Sequence, residues 1–312
     1  MINWILITLL RLTPETPAFN AAYFFAEDTV KILILLLIIT HAMGLLRCYL
    51  PIARLRNFLT SRKFYGADYF LATLFGTITP FCSCSSIPLF IGFLEAGIPL
   101  GITLAFLITS PLINEVAIAL FIGIFGWKVT LIYLASGIMI GMIGGFVLGK
   151  MKLEKYIEPY VLQESVKSES GNDKKSFQEN LKKASKMAFR IFRKIWKYII
   201  IGVGIGAIVH GYVPNGFFEQ HLSNNTFAVP VAVILAIPMY ANASSVIPIL
   251  QSLVEKGIPL GTALAFMMGV VGLSFPEAVM LKKVMKPKLL VLFFGIVGLG
   301  MIAIGYGLNA IL

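Results

Sequence analysis

The sequence predicts an all-α, polytopic transmembrane protein, and three observations lead to this fold class. Hydrophobic residues make up 58% of the 312-residue chain and charged residues only 13%, whereas a soluble domain is about half apolar and about a quarter charged. The mean hydropathy is +0.86. Long apolar stretches recur along the chain, several of them near the roughly 20 residues that a bilayer requires. They cover residues 31–43, 67–81, 100–125, 129–148, 198–209, 227–239, 260–273 and 289–312.

The basic residues explain the orientation of these stretches. A net charge of +11 could indicate a nucleic-acid partner, but the lysines and arginines lie in blocks between apolar stretches, as the positive-inside rule describes. Residues 47–63 carry five basic side chains and no acid, so we expect them in the cytoplasm. Residues 282–288 should be internal as well, whereas residues 211–227 lack Lys and Arg and should be external.

The chain divides into four parts on this reading. Residues 1–29 are predicted to form an N-terminal interfacial segment, 30–149 a first transmembrane unit, and 198–312 a second. Residues 150–197 form a cytoplasmic linker that holds 13 of the 26 basic residues. Its last part alternates apolar and basic positions at helical spacing, which predicts an amphipathic helix lying on anionic lipid.

The two transmembrane units are related by duplication. Residues 88–106 recur at 248–266 with a constant offset of 160, including EAGIPLG at 95–101 and EKGIPLG at 255–261. The loop before the first copy is basic and its counterpart is not, so the copies are expected to enter the membrane from opposite sides, as inverted repeats. Four prolines interrupt each copy, at positions 80, 88, 99 and 111 and at positions 238, 248, 259 and 276.

Inverted repeats with interrupted helices are typical of secondary transporters, because irregular backbone at membrane depth is tolerated where it lines a cavity or is buried in protein. The sequence therefore predicts a permease with broken or re-entrant intramembrane helices rather than an enzyme, with no resident cofactor. The alternative is that the prolines only kink packed helices. No Walker-type phosphate-binding motif is present, which argues against coupling to ATP.

The segment TPFCSCSSIP at 79–88 carries the most distinctive chemistry. Cys82 and Cys84 are one residue apart, and two thiolates so placed can hold one soft centre, such as Cu(I), Zn(II) or trivalent arsenic. The second copy has no cysteine at the equivalent positions. The alternative interpretation is that these thiols are small buried hydrophobes, which is our expectation for Cys48. The remaining predicted substrate-binding residues are Ser85, Ser86, Asn242, Ser244 and Ser245.

Two acidic residues lie within apolar sequence. Glu115 follows Asn114 in PLINE, and Glu277 lies in SFPEAVML. Because a carboxylate inside a bilayer is costly, each is a candidate functional residue. We expect Glu115, Glu277 and Asn114 to couple transport to an ion or proton. Alternatively, the two glutamates pair with a cationic or polar substrate, or hydrogen-bond unwound backbone.

The motifs TPFCSCSS, EAGIPLG/EKGIPLG and SFPEAVML resemble those of the ArsP-type permeases, and the resemblance covers residues 30–312. Some members of that family are linked to efflux of trivalent organoarsenicals, which implies that Cys82 and Cys84 handle a metalloid substrate transiently. The resemblance also implies a multi-pass protein of a bacterial-type inner membrane, with the lipid bilayer and a small solute as partners and no nucleic acid.

Three functions follow from these patterns. The first is a secondary transporter that exports a small soft or thiol-reactive solute, with proton coupling through the two glutamates. The second is a transmembrane thiol redox carrier that uses Cys82 and Cys84, although such carriers usually have cysteines in both halves. The third, a channel or scaffold, leaves the duplication and the buried acids without a purpose.

Overall fold

The computed structural model describes residues 16–49, 66–79, 83–113, 115–159, 227–239 and 243–311, together with fifteen positions between 181 and 207. These residues are helical or lie in short connections, and the predicted all-α class is confirmed for them. Within the described residues, Ile157 and Met285 form an isolated antiparallel β-bridge. Residues 1–15 and 160–180, which include most of the predicted interfacial segment and the middle of the linker, lie outside the described residues.

The helices follow one another with short connections. In chain order they are α1 (Pro17–Tyr49), α2 (Ala67–Ile78), α3 (Ser83–Glu95), α4 (Leu100–Leu112), α5 (Glu115–Lys150), a 3-10 turn (Glu154–Tyr156), α6 (Ala228–Ala236), α7 (Ala243–Glu255), α8 (Leu260–Gly272), α9 (Phe275–Leu281) and α10 (Pro287–Ile311). The described positions between 181 and 207 are helical as well. The predicted domain boundary at residue 30 falls inside α1.

The repeated sequence element forms the same turn in both halves. Gly97 and Gly257 have positive φ values of 77° and 89°, which glycine adopts without steric cost at the end of a helix. Pro99 and Pro259 then precede the first residues of α4 and α8. A proline two residues after such a glycine cannot continue the preceding helix. Each element therefore ends one short helix and begins the next, which runs antiparallel to it.

Helix α5 contains a reversal at Gly126, whose φ of 79° and ψ of 174° are not helical. The ring of Phe121, before the reversal, stacks on the ring of Tyr133, after it, with 4.6 Å between centroids. Residues 115–125 and 127–150 are therefore two antiparallel limbs of a helical hairpin, which we call the first and second limbs of α5. The reversal lies between two apolar stretches of the sequence.

Close glycine contacts fix the direction of the helices in the first half. A methyl group on Gly101, at the start of α4, would lie 2.7 Å from the Cα of Gly149, near the end of α5, and 2.8 Å from the hydroxyl of Tyr69 in α2. One on Gly76, near the end of α2, would lie 3.2 Å from the nitrogen of Ser110. Helices α2 and α4 are thus parallel, and α3 returns between them.

The second half repeats these contacts 160 residues later. A methyl group on Gly261 would lie 2.4 Å from the carbonyl oxygen of Gly305 and 2.7 Å from the nitrogen of Asn309. Asn309 also caps α8, since its Oδ1 accepts a hydrogen bond of 3.1 Å from the nitrogen of Thr262. A methyl group on Gly269 would lie 2.7 Å from the Cβ of Ala236. Helices α6, α7, α8 and α10 therefore reproduce the packing of α2, α3, α4 and the second limb of α5.

The halves meet along α5 and α10, which are antiparallel. The end of α5 is close to the beginning of α10, because Ile157 pairs with Met285. Further along, a methyl group on Gly300 would lie 3.7 Å from a side-chain carbon of Ile140. Gly300 and Ile140 are separated by the repeat offset of 160 residues, so equivalent positions of the two halves contact each other there.

The helical positions between 181 and 207 pack beside α1 in the opposite direction. The Nε2 of His41 lies 3.3 Å from the Oγ of Ser185, and a methyl group on Gly204 would lie 3.6 Å from the ring of Phe25. The segment predicted as an amphipathic helix on lipid thus contacts another helix of the bundle. The predicted polar face is exposed at Lys186 and Arg193, and the lipid contact itself stays a prediction.

Burial separates an inner layer from an outer one. Every residue of α4 is buried, and α8 is buried at eleven of its positions. By contrast, large apolar side chains on the outer helices are exposed, such as Val291 at 71% and Leu299 at 67%. By length and apolar composition alone, three described stretches could cross a membrane: Ala117–Lys150, Leu260–Leu281 and Pro287–Ile311. The first contains the reversal at Gly126, after which the second limb of α5 is continuous, and the second contains the break between α8 and α9. An apolar exterior of this extent is compatible with lipid rather than water, and the chain is a membrane protein.

Candidate functional site: two helix breaks within the bundle

The first break lies where α2 ends and α3 begins, next to the junction of α4 and α5. Helix α2 ends at Ile78 and α3 begins at Ser83, while Ile113 is extended between α4 and α5. The last turns of α2 and α4 are in contact, as the packing of Gly76 against Ser110 shows. The α2–α3 junction and the α4–α5 junction therefore lie at the same depth in the bundle.

A pair of serines joins the two sides of this break. Ser86, in the first turns of α3, has its Oγ 2.8 Å from the Oγ of Ser110 in α4, and either hydroxyl can be the donor. Both side chains are fully buried. A buried hydroxyl without a partner costs about 1–3 kcal/mol, so the pair stabilises the close approach of α3 and α4.

Tyr133 hydrogen-bonds to a main-chain carbonyl group at the same break. Its hydroxyl donates to the carbonyl oxygen of Leu112, the last residue of α4. The Tyr133 ring is fully buried and stacks on Phe121. Because the last carbonyls of a helix have no partner within it, this hydroxyl supplies one inside an apolar environment. Hydrogen bonding to unwound backbone, the alternative role for the glutamates, is performed at Leu112 by a tyrosine.

The second break is built differently. The nitrogen of Phe275, at the start of α9, donates a hydrogen bond of 2.7 Å to the carbonyl oxygen of Ile237, just after α6. Ser274, between α8 and α9, is buried, and its Oγ has no hydrogen-bond partner in the described part of the chain. Glu277, in the first turn of α9, is 0% exposed. The second half thus places an acid, rather than a serine pair, beside its break.

The two breaks approach each other across the halves. A methyl group on Gly272, the last residue of α8, would lie 2.9 Å from a side-chain carbon of Leu112 and 3.3 Å from the Cε of Met301. Leu112 and Gly272 are again 160 residues apart. Helix α9 contacts α3, and α7 contacts α5. Each returning helix therefore packs against the other half, and the helix that carries Cys84 contacts the helix that carries Glu277.

The predicted site residues fall into three groups. Ser86, Glu115 and Glu277 are described in full: the first and last are buried, and Glu115 is exposed at the start of α5. A second group lies on described backbone, but its side chains are outside the description. It consists of Cys84 and Ser85, in the first turn of α3, and Ser244 and Ser245, in the first turn of α7. Cys48, which is not a predicted site residue, likewise lies on described backbone near the end of α1. Cys82, Asn114 and Asn242 lie outside the described residues.

The structure adds Ser110 and Tyr133 to the residues identified from the sequence. Ser110 precedes Pro111 near the end of an interrupted helix, and a serine beside a proline in an apolar segment could have been recognised. Tyr133 gives no such signal, because it lies in a long apolar stretch. Among the described residues, no group of three His, Cys, Asp or Glu side chains could hold a metal ion.

Broken helices enclosed by a bundle with an apolar exterior define a class, the membrane transport proteins. The chain belongs to the ArsP_1 family, described as predicted permeases, which it matches over residues 18–310. The resemblance inferred from the cysteine motif and the repeated element is thereby confirmed at the level of the family.

Curated relatives agree with this assignment. The chain is 19% identical over 318 residues to a UPF0718 protein of Methanocaldococcus jannaschii, covering 80% of this chain and 85% of that one. It is 26% identical over 198 residues to a Streptococcus mutans protein named as a candidate subunit of a two-component membrane permease complex, with coverages of 62% and 63%. It is 23% identical over 206 residues to UPF0718 protein YcgR of Bacillus subtilis, with coverages of 64% and 68%. No solved structure matches the chain.

Proposed function

We propose that this permease is a secondary transporter that exports a small soft or thiol-reactive solute, such as a trivalent organoarsenical. The observation that carries the proposal is the meeting of the two helix breaks inside the bundle, where Leu112 of the first half contacts Gly272 of the second. Interrupted helices that converge between two repeats are where secondary transporters bind substrate.

In this proposal the halves are inverted repeats related by an approximate two-fold axis in the membrane plane. Support comes from the antiparallel packing of α5 and α10, which are equivalent helices, and from the contacts between positions 160 residues apart. It also comes from the start of α4, which lies beside the end of α5, whereas the start of α8 lies beside the end of α10. Because those two helix ends lie at opposite ends of the bundle, α4 and α8 enter it from opposite sides.

The lengths of the helices support a re-entrant arrangement. Helices α2 and α3 have 12 and 13 residues, or about 18–20 Å, against about 30 Å for the hydrocarbon core. They run in opposite directions, so α2 enters to the level of the break and α3 returns to the side of entry. Helix α4 and the first limb of α5 then complete one crossing together. One net crossing between residues 66 and 127 gives the odd number that the positive-inside rule requires.

We assign the cargo chemistry to the first half. Cys82 and Cys84 flank the beginning of α3, and α3 contacts α9. Two thiolates suit a methylated trivalent arsenic, which has two positions left to fill, and soft ligands select soft centres. The thiols would bind the cargo transiently, since a transported solute must also leave. The serines at the starts of α3 and α7 would line the same path.

We assign proton coupling to Glu277 rather than to Glu115. Glu277 is fully buried beside the second break, on a helix that contacts the thiol-bearing helix. A carboxyl group inside the membrane costs free energy. Its presence there therefore favours a functional role. Glu115 is exposed at the start of α5, so we assign it no part in the coupling.

Uptake into everted membrane vesicles tests the proposal. With methylarsenite as the probe, we expect the Cys82→Ser/Cys84→Ser double variant and Glu277→Gln to lose at least about ten-fold in initial rate, a change of about 1.4 kcal/mol in barrier. Cys48→Ser and Glu115→Gln are the matched controls and should retain most of the rate. Full accumulation by the double variant would refute the thiol step, and full pH-gradient dependence in Glu277→Gln would refute the coupling role.

A further inference from the structure

The end of the bundle at which the halves are joined has an unusual charge. Residues 150–158 follow α5 and residues 282–288 connect α9 to α10; together they contain seven lysines and two glutamates. We call these two segments the basic end. Since the second limb of α5 and α10 are long and apolar enough to cross a membrane, the basic end lies at the level where such helices leave the hydrocarbon core.

Main-chain hydrogen bonds hold the two segments in register. The nitrogen of Lys286 donates to the carbonyl oxygen of Tyr156 over 2.8 Å, and the nitrogen of Glu158 donates to the carbonyl oxygen of Val284 over 2.9 Å. Ile157 and Met285, between these bonds, are 3% and 0% exposed. The pairing is thus anchored in the core, and its position does not depend on flexible surface side chains.

This pairing brings lysines of both halves to one aromatic ring. The Nζ of Lys155 lies 5.2 Å from the centroid of the Tyr156 ring, and the Nζ of Lys288 lies 5.4 Å from it. Both lysines are exposed, and neither makes an ion pair with a carboxylate of the described residues. Two ammonium groups and a phenol hydroxyl therefore converge at the surface, with donors available to a ligand.

The chemistry of Tyr156 indicates what kind of ligand this place favours. Hydrogen bonding from Lys288 and the positive charges of Lys155 and Lys288 lower the pKa of the Tyr156 phenol. A position that stabilises a phenolate oxygen also stabilises a phosphate oxygen, because both carry negative charge and accept hydrogen bonds.

We propose that Tyr156, Lys155 and Lys288 bind the phosphate of an anionic phospholipid headgroup, and that the bound lipid holds the two halves together at the basic end. Lipid is favoured over a free anion because the site lies beside the ends of two membrane-spanning helices. Tyrosine is enriched at that level, and basic pockets between helices at the cytoplasmic face attract anionic headgroups. Since Lys155 follows α5 of the first half and Lys288 lies in α10 of the second, the lipid would stabilise their pairing.

Lipid binding to the purified full-length chain tests this site. In detergent, bound phosphatidylglycerol is counted by native mass spectrometry, and the rise in thermal midpoint on adding phosphatidylglycerol is compared with that on adding phosphatidylcholine. We expect Lys155→Gln/Lys288→Gln to weaken the apparent affinity for phosphatidylglycerol by roughly ten- to thirty-fold, the scale for two lysines at an anionic surface. Lys128→Gln/Lys256→Gln is the matched control, because it removes two exposed lysines from the other end of the bundle.

The controls separate a specific site from general attraction. An equal loss in both double variants, or none in the first, would overturn the proposal. A thermal shift from inorganic phosphate as large as that from the same concentration of phosphatidylglycerol would overturn the assignment to lipid. Equal thermal midpoints in phosphatidylcholine show that the variants are folded. If the double variant does not fold, Tyr156→Phe, which keeps both lysines, should still lower the affinity about three-fold, and unchanged binding would refute the site.

Discussion

The two helix breaks occupy equivalent positions in the two halves but contain different chemistry. In the first half, Ser86 and Ser110 hydrogen-bond across the break. At the equivalent positions, 160 residues later, the second half has Val246 and Val270, which are both buried. A polar pair thus lies between α3 and α4, and an apolar pair occupies the equivalent positions of α7 and α8. Close packing of these helices therefore does not require the hydroxyls.

The main-chain groups at the breaks are also satisfied in different ways. Tyr133 donates to the carbonyl oxygen of Leu112 in the first half, whereas its equivalent, Phe293, has no hydroxyl. In the second half a main-chain bond between Phe275 and Ile237 closes the break. What the halves share is close packing at glycine, and what distinguishes them is the polar chemistry at the breaks, which in the first half includes Ser86, two residues after Cys84 in the sequence.

Substitutions at the glycine contacts that the two halves share should have the largest effect on stability. A methyl group on Gly145 would lie 2.6 Å from the Cβ of Ala105, and one on Gly305 would lie 2.6 Å from the side chain of Val229. We expect Gly145→Ala and Gly305→Ala each to lower the free energy of unfolding by up to about 3 kcal/mol, since added methyl groups overpack both sites. Thermal unfolding in detergent measures the loss.

A control for this prediction lies on the same helix. Gly307 has no atom within 4 Å of an added methyl group, so Gly307→Ala should leave the thermal midpoint unchanged or raise it, because alanine favours helix more than glycine does. If only Gly145→Ala destabilised the protein and Gly305→Ala behaved like Gly307→Ala, the two halves would not share this packing.

The serine pair should show a smaller effect with a distinctive pattern. Ser110→Val removes the hydroxyl that hydrogen-bonds to Ser86 across the break, at an expected cost of about 1–2 kcal/mol. Adding Ser86→Val should recover most of that loss, because the double variant copies the valine pair of the second half. Losses that simply add in the double variant would show that the hydroxyls have separate partners. A double-variant cycle on thermal stability measures this coupling.

Tyr133→Phe carries the smallest expected effect. It keeps the ring that stacks on Phe121 and removes the hydroxyl that bonds the Leu112 carbonyl oxygen. A cost of about 1 kcal/mol is expected for this one hydrogen bond. Hydrogen exchange or thermal unfolding would detect it, and a neutral result would mean that the carbonyl finds another donor when the phenol is absent.

Several features of this fold could be predicted from the sequence. The constant offset identified the repeated element, and its Pro99 and Pro259 lie at the turns before α4 and α8. Pro88 and Pro111, which are also expected to interrupt the first copy, instead lie inside α3 and α4. The reversal at Gly126 falls between two of the predicted apolar stretches, 100–125 and 129–148. These signals are local in the chain, which is why sequence alone revealed them.

Other features depend on contacts between distant residues. The alternation of apolar and basic residues after position 181 indicates a helix with two faces, but it does not say whether the apolar face meets lipid or another helix. In the structure this helix lies beside α1, where Ser185 is next to His41. Likewise, Ser110 and Tyr133 acquire their roles only when α3 and α5 pack against the end of α4. Glu115 and Glu277 look alike in sequence, and burial separates them.

Cysteine accessibility at two equivalent turns tests the inverted arrangement of the halves most directly. Ala96 and Lys256 occupy the same position of the repeated turn, so Ala96→Cys and Lys256→Cys are compared one at a time, after the three native cysteines are replaced by serine. With a membrane-impermeant maleimide, the account predicts that Ala96→Cys is labelled only from the cytoplasmic side and Lys256→Cys only from the external side. Labelling of both from the same side would contradict it.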